Sequence, residues 1–273
     1  MLMNASRRIL GSLSPGCLED EVAACGAEVM RLGKSELMRF DLRIRFGCDG
    51  TILVALERVA KPNAFFQSLQ RCLRERKPVL AAMQGLDGPV AALHTEIISE
   101  PISIKADAFT QVIPPPVRLV LIGDRPDLQP LIRLGGFLCW ELRVVEDPSD
   151  LPAGDPHAGC VVMSHRLGAD LAALQAALAQ GYGYVALVGG RQRRERLFHE
   201  LLAAGIEPEE LRRVHGPAGL DLGAETPEEI ALAIVAEAQA VLAGRAGGFL
   251  KQRRSAIHGP VIQEVPRESM RSC

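Results

Sequence analysis

The residues best suited to chemistry stand in short, glycine-rich stretches. Cys17 and Cys48 each follow a glycine, in Gly11-Ser12-Leu13-Ser14-Pro15-Gly16-Cys17-Leu18-Glu19 and in Phe46-Gly47-Cys48-Asp49-Gly50. A thiol in such a turn is open to solvent, and nearby backbone amides lower its pKa toward the thiolate, the form that is nucleophilic and ligates soft metals. Two half-buried structural cysteines would satisfy the same text. Glu19, two residues beyond Cys17, suits a proton acceptor and equally a first-turn acid favoured by a helix dipole. Gly189-Gly190-Arg191 precedes Arg193, Arg194 and Arg196. Bare amides at a helix start beside guanidinium groups form a phosphate cradle, although an exposed basic helix face gives the same pattern. In the loop His215-Gly216-Pro217-Ala218-Gly219-Leu220-Asp221, Gly219 and Asp221 suit either a ligand-facing turn or a rigid connector to the last helix. His165 follows an apolar strand, where it contacts a ligand or is hydrogen-bonded locally. There is no His-Glu-x-x-His pair or His/Cys cluster for a structural zinc, and no Gly-x-Ser-x-Gly elbow for a hydrolase.

The elements that must position these residues fall on either side of Pro114-Pro115-Pro116, a run that neither helix nor central strand accepts. Residues 1–113 read as an α+β unit with an antiparallel sheet. A helix is expected over 19–32 with Val22, Val29 and Leu32 on one stripe, and strands over 37–45 and 51–59 are joined as a hairpin. A second helix follows at 63–76, with further short strands at 79–83, 90–93 and 101–105. Residues 117–245 change rhythm. Strands at 117–122, 141–145, 160–163 and 184–188 alternate with helices at 127–134, 169–179 and 192–203, the pattern of a Rossmann-like domain with a parallel sheet covered on both faces. The last helix announces its own start, with Thr226 as N-cap, Pro227 at N1 and Glu229 closing a capping box. Residues 246–273 read as a flexible tail with an excess of basic residues. The fold class is therefore α/β, an N-terminal α+β domain followed by a Rossmann-like domain.

The first strand of the second unit runs into Gly123-Asp124-Arg125-Pro126-Asp127. A dinucleotide fold wants Gly-x-Gly-x-x-Gly there, and only the first glycine is present. Two carboxylates flank the place a pyrophosphate would take, so NAD(P) binding is doubtful. Glu146 and Asp147 follow the second strand, where an acid binds ribose hydroxyls or simply occupies a loop.

Composition narrows the classes further. The 273 residues carry 31 Lys+Arg against 33 Asp+Glu, a net charge of −2 that argues against a dedicated nucleic-acid binder. At 48% hydrophobic and 23% charged the chain is globular, and no apolar run approaches the ~18 residues of a membrane span. Seven scattered cysteines without a Cys-x-x-Cys pair, and a start without an apolar signal region, lead to the expectation of a reducing cytoplasm. Cys72, Cys139 and Cys160, among apolar neighbours, are expected as small buried hydrophobes.

The most specific text is Pro217-Ala218-Gly219-Leu220-Asp221-Leu222-Gly223-Ala224-Glu225-Thr226-Pro227-Glu228-Glu229-Ile230-Ala231, which resembles the C-terminal hallmark of the XdhC/CoxI family of xanthine dehydrogenase accessory proteins. Met163-Ser164-His165 with Asp170 and Leu174 is similar to that family's Thr-His-Asp segment, and Gly189-Gly190-Arg191 to its Gly-Ser-Arg turn. The stretches around Cys17 and Cys48 resemble its two glycine-cysteine motifs. The sequence departs from the family at Gly123-Asp124-Arg125-Pro126, commonly Gly-x-Gly-His, and at Pro15, which replaces a glycine.

The resemblance implies a cytoplasmic, non-catalytic chaperone that binds the molybdenum cofactor, a molybdenum-dithiolene pterin bearing a phosphate. It further implies assistance in sulfuration and in insertion into an apo molybdenum hydroxylase of the xanthine or aldehyde dehydrogenase type. The implied partners are that apoenzyme and a cysteine desulfurase, without nucleic acid or membrane, and a homodimer would suit the role. The implied cofactor-binding residues are Cys17, Glu19, Cys48, His165, Gly189, Gly190, Arg191, Gly219 and Asp221, with Cys17 and Cys48 toward molybdenum or a transferred sulfur. The alternatives are a nucleotide-dependent oxidoreductase using the Rossmann-like half, and a ligand-free assembly scaffold.

Overall fold

The computed structural model describes residues 1–4, 6, 9–13, 18–43, 50–59, 63–84, 94–98, 109–254 and 271–272. The chain divides into two compact units, Met1–Ile113 with His258–Cys273, and Pro114–Ile257.

In the first unit, β1 (Leu2–Met3) pairs antiparallel with β2 (Ile9–Leu10). Helix α1 (Glu19–Leu32) opens on three acids and closes on Gly33 in the left-handed conformation, the signals expected at either end of a helix. It packs Val22 with Leu18 against Met38, Phe40 and Val54 of the antiparallel pair β3 (Glu36–Asp41) and β4 (Thr51–Leu56). The hairpin expected from the sequence is present, but β3 stops at Asp41, whose carboxylate turns back onto Arg43, instead of running to Arg45. Helix α2 (Ala64–Arg74) is capped by the Asn63 side chain, which accepts from the Phe66 amide. Strand β5 (Val79–Gln84) then lies between β6 (His94–Ile98) and β7 (Phe109–Ile113), both antiparallel to it. The sequence reading lacks β6 and β7, and the strands it expects at 90–93 and 101–105 lie outside the described residues. The final strand, β13 (Arg271–Ser272), pairs parallel with β3.

The second unit holds one parallel sheet. Its strands are β8 (Arg118–Gly123), β9 (Glu141–Val145), β10 (Ala158–Met163), β11 (Tyr184–Leu187) and β12 (Val214–His215), in spatial order β12-β11-β10-β8-β9. The helices between them are α3 (Arg125–Phe137), α4 (Leu167–Gln180), α5 (Arg191–Ala203) and the short α6 (Pro208–Leu211), and α7 (Pro227–Leu242) follows β12. The strands are apolar at nearly every position because both faces are covered. Val120, Ile122, Cys160, Val162, Val185 and Leu187 meet Ala173 and Leu174 of α4 and Leu197 and Leu201 of α5. The alternate residues Leu119, Leu121, Val161, Met163 and Ala186 meet Leu128 and Leu131 of α3 and Ile234, Val235 and Ala238 of α7. Each fully buried aliphatic side chain stabilises the unit by roughly 2 kcal/mol relative to exposure.

Helix α3 begins at Arg125, two residues earlier than the sequence reading places it, because Pro126 stands in its first turn, where a missing N–H costs nothing. The capping box at Thr226 and Glu229 is present as expected. Of the three cysteines expected as buried hydrophobes, one is buried and two are not, Cys72 being only half-buried. Cys160 is buried, and burial alone pushes its thiol up to about 12. Cys139 is exposed and takes a positive φ just past the end of α3, a turn position rather than a core one.

Candidate functional site at the carboxyl edge of the parallel sheet

With β8 as its first strand, the sheet has the doubly wound order 2-1-3-4-5. The chain leaves β8 in one direction and returns at β10 on its other side. In open α/β sheets a crevice forms at that switch, beyond the carboxyl ends of the two strands, and ligands bind there. Met163, the last residue of β10, lies opposite Gly123, the last residue of β8. The two backbones approach so closely that a Cβ on Gly123 would stand 2.6 Å from the Met163 carbonyl oxygen. His165, in the turn after β10, and Asp127, in the first turn of α3, span the switch with Nε2 and Oδ2 3.3 Å apart and both side chains about half exposed. An exposed pair of this kind contributes little stability, so it shapes the rim of the crevice more than it holds the fold. His165 itself adopts a positive φ, which turns the chain sharply between strand and helix.

Beneath this rim lies Asp170, fully buried in the first turn of α4. Its carboxylate accepts from the Ser164 amide at 3.1 Å, the Ser164 hydroxyl at 2.5 Å and Arg193 Nη2 at 2.6 Å. The turn after β11 supplies Gly189 and Gly190 and leads into α5, whose first turn carries no acid and whose N-cap, Gly190, brings no capping side chain. A Cβ placed on Gly190 would meet nothing within 4 Å. Two guanidinium nitrogens in this region, Nε of Arg193 and Nε of Arg194, are buried without a hydrogen-bond acceptor among the described residues. The Arg194 guanidinium lies over the Phe198 ring at 4.4 Å.

A second carboxylate, half-buried, organises the loop after β12. Glu237 of α7 accepts from the Tyr184 hydroxyl at 2.6 Å and the Gly219 amide at 2.9 Å, and pairs with His215 Nδ1 at 3.2 Å. Burial raises its proton affinity, but the contacts to His215, Tyr184 and Gly219 together outweigh it and hold the carboxyl below the usual glutamate range. Burial and the bond to Glu237 push the Tyr184 phenol well above its ordinary value. The loop is thereby fastened to α7, and the Leu220 amide adds a bond to the Ala233 carbonyl. Sequence reading missed Glu237. The available signal was its isolation as the one charged residue between Ile230 and Leu242.

The structure thus gathers His165, Gly189, Gly190 and Arg191 on the carboxyl edge of one sheet. Gly219 and Asp221 follow β12 in the next loop. Gly219 is committed to the interior, with its amide on Glu237 and a Cβ position 3.0 Å from Ala233 Cβ, whereas Asp221 is exposed. Glu19 lies in the first unit, where its two carboxylate oxygens accept from the Leu13 amide at 2.9 Å and the Leu18 amide at 3.1 Å. It therefore bridges the amides of Leu13 and Leu18. Cys17 and Cys48 lie outside the described residues. Among the described residues no cluster of His, Cys, Asp and Glu could hold a metal ion, and no helix is long and apolar enough to cross a membrane.

Residues 119–238 match the XdhC Rossmann domain family. Over 87% of its length the chain is 26% identical to a probable xanthine dehydrogenase subunit of Bacillus subtilis, covering 86% of that protein. Over 88% of its length it is 23% identical to the molybdenum cofactor insertion chaperone PaoD of Escherichia coli, covering 77% of that protein. A crystal structure described as a xanthine dehydrogenase from Bacillus halodurans shares the fold, with a TM-score of 0.72 at 23% identity over 89% of this chain and 85% of the other.

Proposed function

We propose that the chain, whose residues 119–238 match the XdhC Rossmann domain family, is a chaperone for the molybdenum cofactor that assists its sulfuration and its insertion into an apo molybdenum hydroxylase. The observation that carries this reading is the likeness to an insertion chaperone over 88% of the chain. The donor set at the carboxyl edge fits the cofactor's phosphate-bearing end. The unobstructed Gly190, an acid-free helix start and guanidinium N–H groups lacking acceptors all favour an anion. The same edge serves a dinucleotide less well. Asp127 stands in the first turn of α3 at the switch, and Gly123 is followed by an aspartate and an arginine.

In this reading Gly189, Gly190, Arg191 and Arg193 hold the phosphate end, and His165 faces the pterin across the switch. Cys17 and Cys48 supply the soft thiolates that molybdenum or a transferred sulfur requires, and Glu19 bridges the amides of Leu13 and Leu18. When bound, the cofactor brings the molybdenum centre on which the target hydroxylase depends. The chain's own work is to bind it, keep it from water and release it to the apoenzyme. A cytoplasmic setting and a cysteine desulfurase partner belong to the same proposal.

The test is to purify the protein anaerobically from a host replete in the cofactor and to assay metal and oxidised pterin together. One molybdenum and one pterin per chain are expected. Cys17→Ala and Cys48→Ala should each lower activation of an apo-hydroxylase. Absence of both metal and pterin from well-folded protein would overturn the reading and favour the scaffold alternative.

A further inference from the structure

The ends of β10 and β11 are joined below the surface by a single carboxylate. Asp170 has no solvent exposure and binds both Ser164, in the turn after β10, and Arg193, in the helix after β11. A carboxylate withdrawn from water is costly unless it is paired and fully hydrogen-bonded. Apolar side chains often replace such a pair without loss of stability, so the geometry it imposes is the better account of its presence. That geometry is specific. Arg193 reaches Asp170 by folding back over Gly189, which has a φ of +147°, and a Cβ there would lie 2.9 Å from Arg193 Cδ. One Nη of the guanidinium is spent on Asp170, about a quarter of the side chain stays exposed, and the buried Nε has no acceptor. An unsatisfied donor on a charged group is costly and calls for a partner.

We propose that Asp170 is a positioning residue for Arg193, and that Arg193, held this way, is the guanidinium that reads the phosphate of the ligand at this edge. The proposal deepens the cofactor reading above and rests on it for the identity of the ligand. The sign of one substitution separates aim from charge. The Asp170–Arg193 pair is neutral as a unit, so Asp170→Asn adds a net positive charge to the edge. If charge alone governed, an anion would bind the variant more tightly. If the fork must be aimed, the anion binds it more weakly.

The experiment is a double-mutant cycle on the full chain, titrating inorganic pyrophosphate by calorimetry into wild type, D170N, R193Q and the double variant, with thermal melting alongside. D170N should weaken binding about tenfold or more, the scale seen when an outer-shell partner is removed. R193Q should weaken it at least as much, and the double variant should be no weaker than R193Q. Should D170N fail to fold, R193K carries the test. It keeps the charge, loses the planar fork and is expected to bind as weakly as R193Q. Equal or tighter binding by D170N, additive losses around the cycle, wild-type affinity in R193K, or no pyrophosphate binding by wild type would each overturn the proposal. Metal and pterin content of the same wild-type sample separates the two ideas. A coupled cycle without cofactor keeps Arg193 as a phosphate reader and removes the chaperone reading, whereas cofactor with an uncoupled cycle does the reverse.

Discussion

Glu237 shows how much a single side chain can organise once its neighbours are in place. Its carboxylate is the common acceptor for Tyr184 on β11, His215 on β12 and the amide of Gly219 in the loop beyond. Removing it leaves a phenol, a ring nitrogen and a backbone N–H without their acceptor in a mostly buried place. Glu237→Ala is therefore expected to destabilise the protein by about 2–4 kcal/mol, measured by urea unfolding. The pH dependence has a definite sign. The folded-state pKa of Glu237 lies below the ordinary glutamate value of 4.5, so its contribution is complete above that value. It is lost as pH falls through the folded pKa, because the unfolded chain takes up the proton first. Glu237→Gln keeps the shape and cannot titrate. The stability difference between wild type and Glu237→Gln should hold steady near neutrality and shrink below about pH 4.5. A constant difference down to acid unfolding would show that Glu237 does not titrate in this way.

At the scale of elements, the three turns that lead from β8, β10 and β11 into α3, α4 and α5 build the carboxyl edge, and each has its own steric rule. Gly123 is a glycine because β10 passes too close for a Cβ, with the obstructing atom a backbone carbonyl oxygen 2.6 Å away. Gly190 meets no such obstacle and has a φ of −69°, which any residue adopts. Gly123→Ala should therefore cost about 1–3 kcal/mol, as overpacking against backbone does. Gly190→Ala should stay within about 1 kcal/mol of wild type, since reduced freedom of the unfolded chain offsets a poorer N-cap. Thermal melting of the two variants checks the contrast, and equal effects would refute the close approach at the switch. These rules were only partly legible in the sequence. Alternating apolar runs and helices gave the parallel sheet, and Thr226-Pro227-Glu228-Glu229 marked the start of α7, because both signals are local. Strand order is not local. It depends on which face each helix crosses, and no residue spacing encodes it. The strands β6, β7 and β12 escaped notice for a related reason. They are short and mixed in composition, and their pairing partners rather than their own residues make them strands.

For the whole molecule, the proposed chemistry divides along the same boundary as the chain. The buried side chains that cover both faces of the parallel sheet all come from residues 119–238, so Pro114–Ile257 has its core within itself. The glycine-cysteine motifs both lie in the other unit, as does Glu19, and they were legible only through resemblance, because two cysteines in glycine turns are too little text for spacing to decide their role. The pair Asp170–Arg193 was hidden for a different reason. Its members are 23 residues apart, on neighbouring helices, and only the fold brings them together. This division can be tested by cutting the chain. A fragment of residues 114–257 is expected to unfold in one cooperative transition, since burial across a complete two-faced core outweighs the lost chain entropy. It should bind pyrophosphate with an affinity within a few-fold of the full chain, because every residue of the phosphate end is present. It should carry no molybdenum after purification from a replete host, because Cys17 and Cys48 are gone. A fragment that folds and still holds the metal would move the metal-binding chemistry out of the first unit and onto the edge of the parallel sheet. A fragment that folds but loses pyrophosphate would show that residues outside 114–257 are needed for the anion.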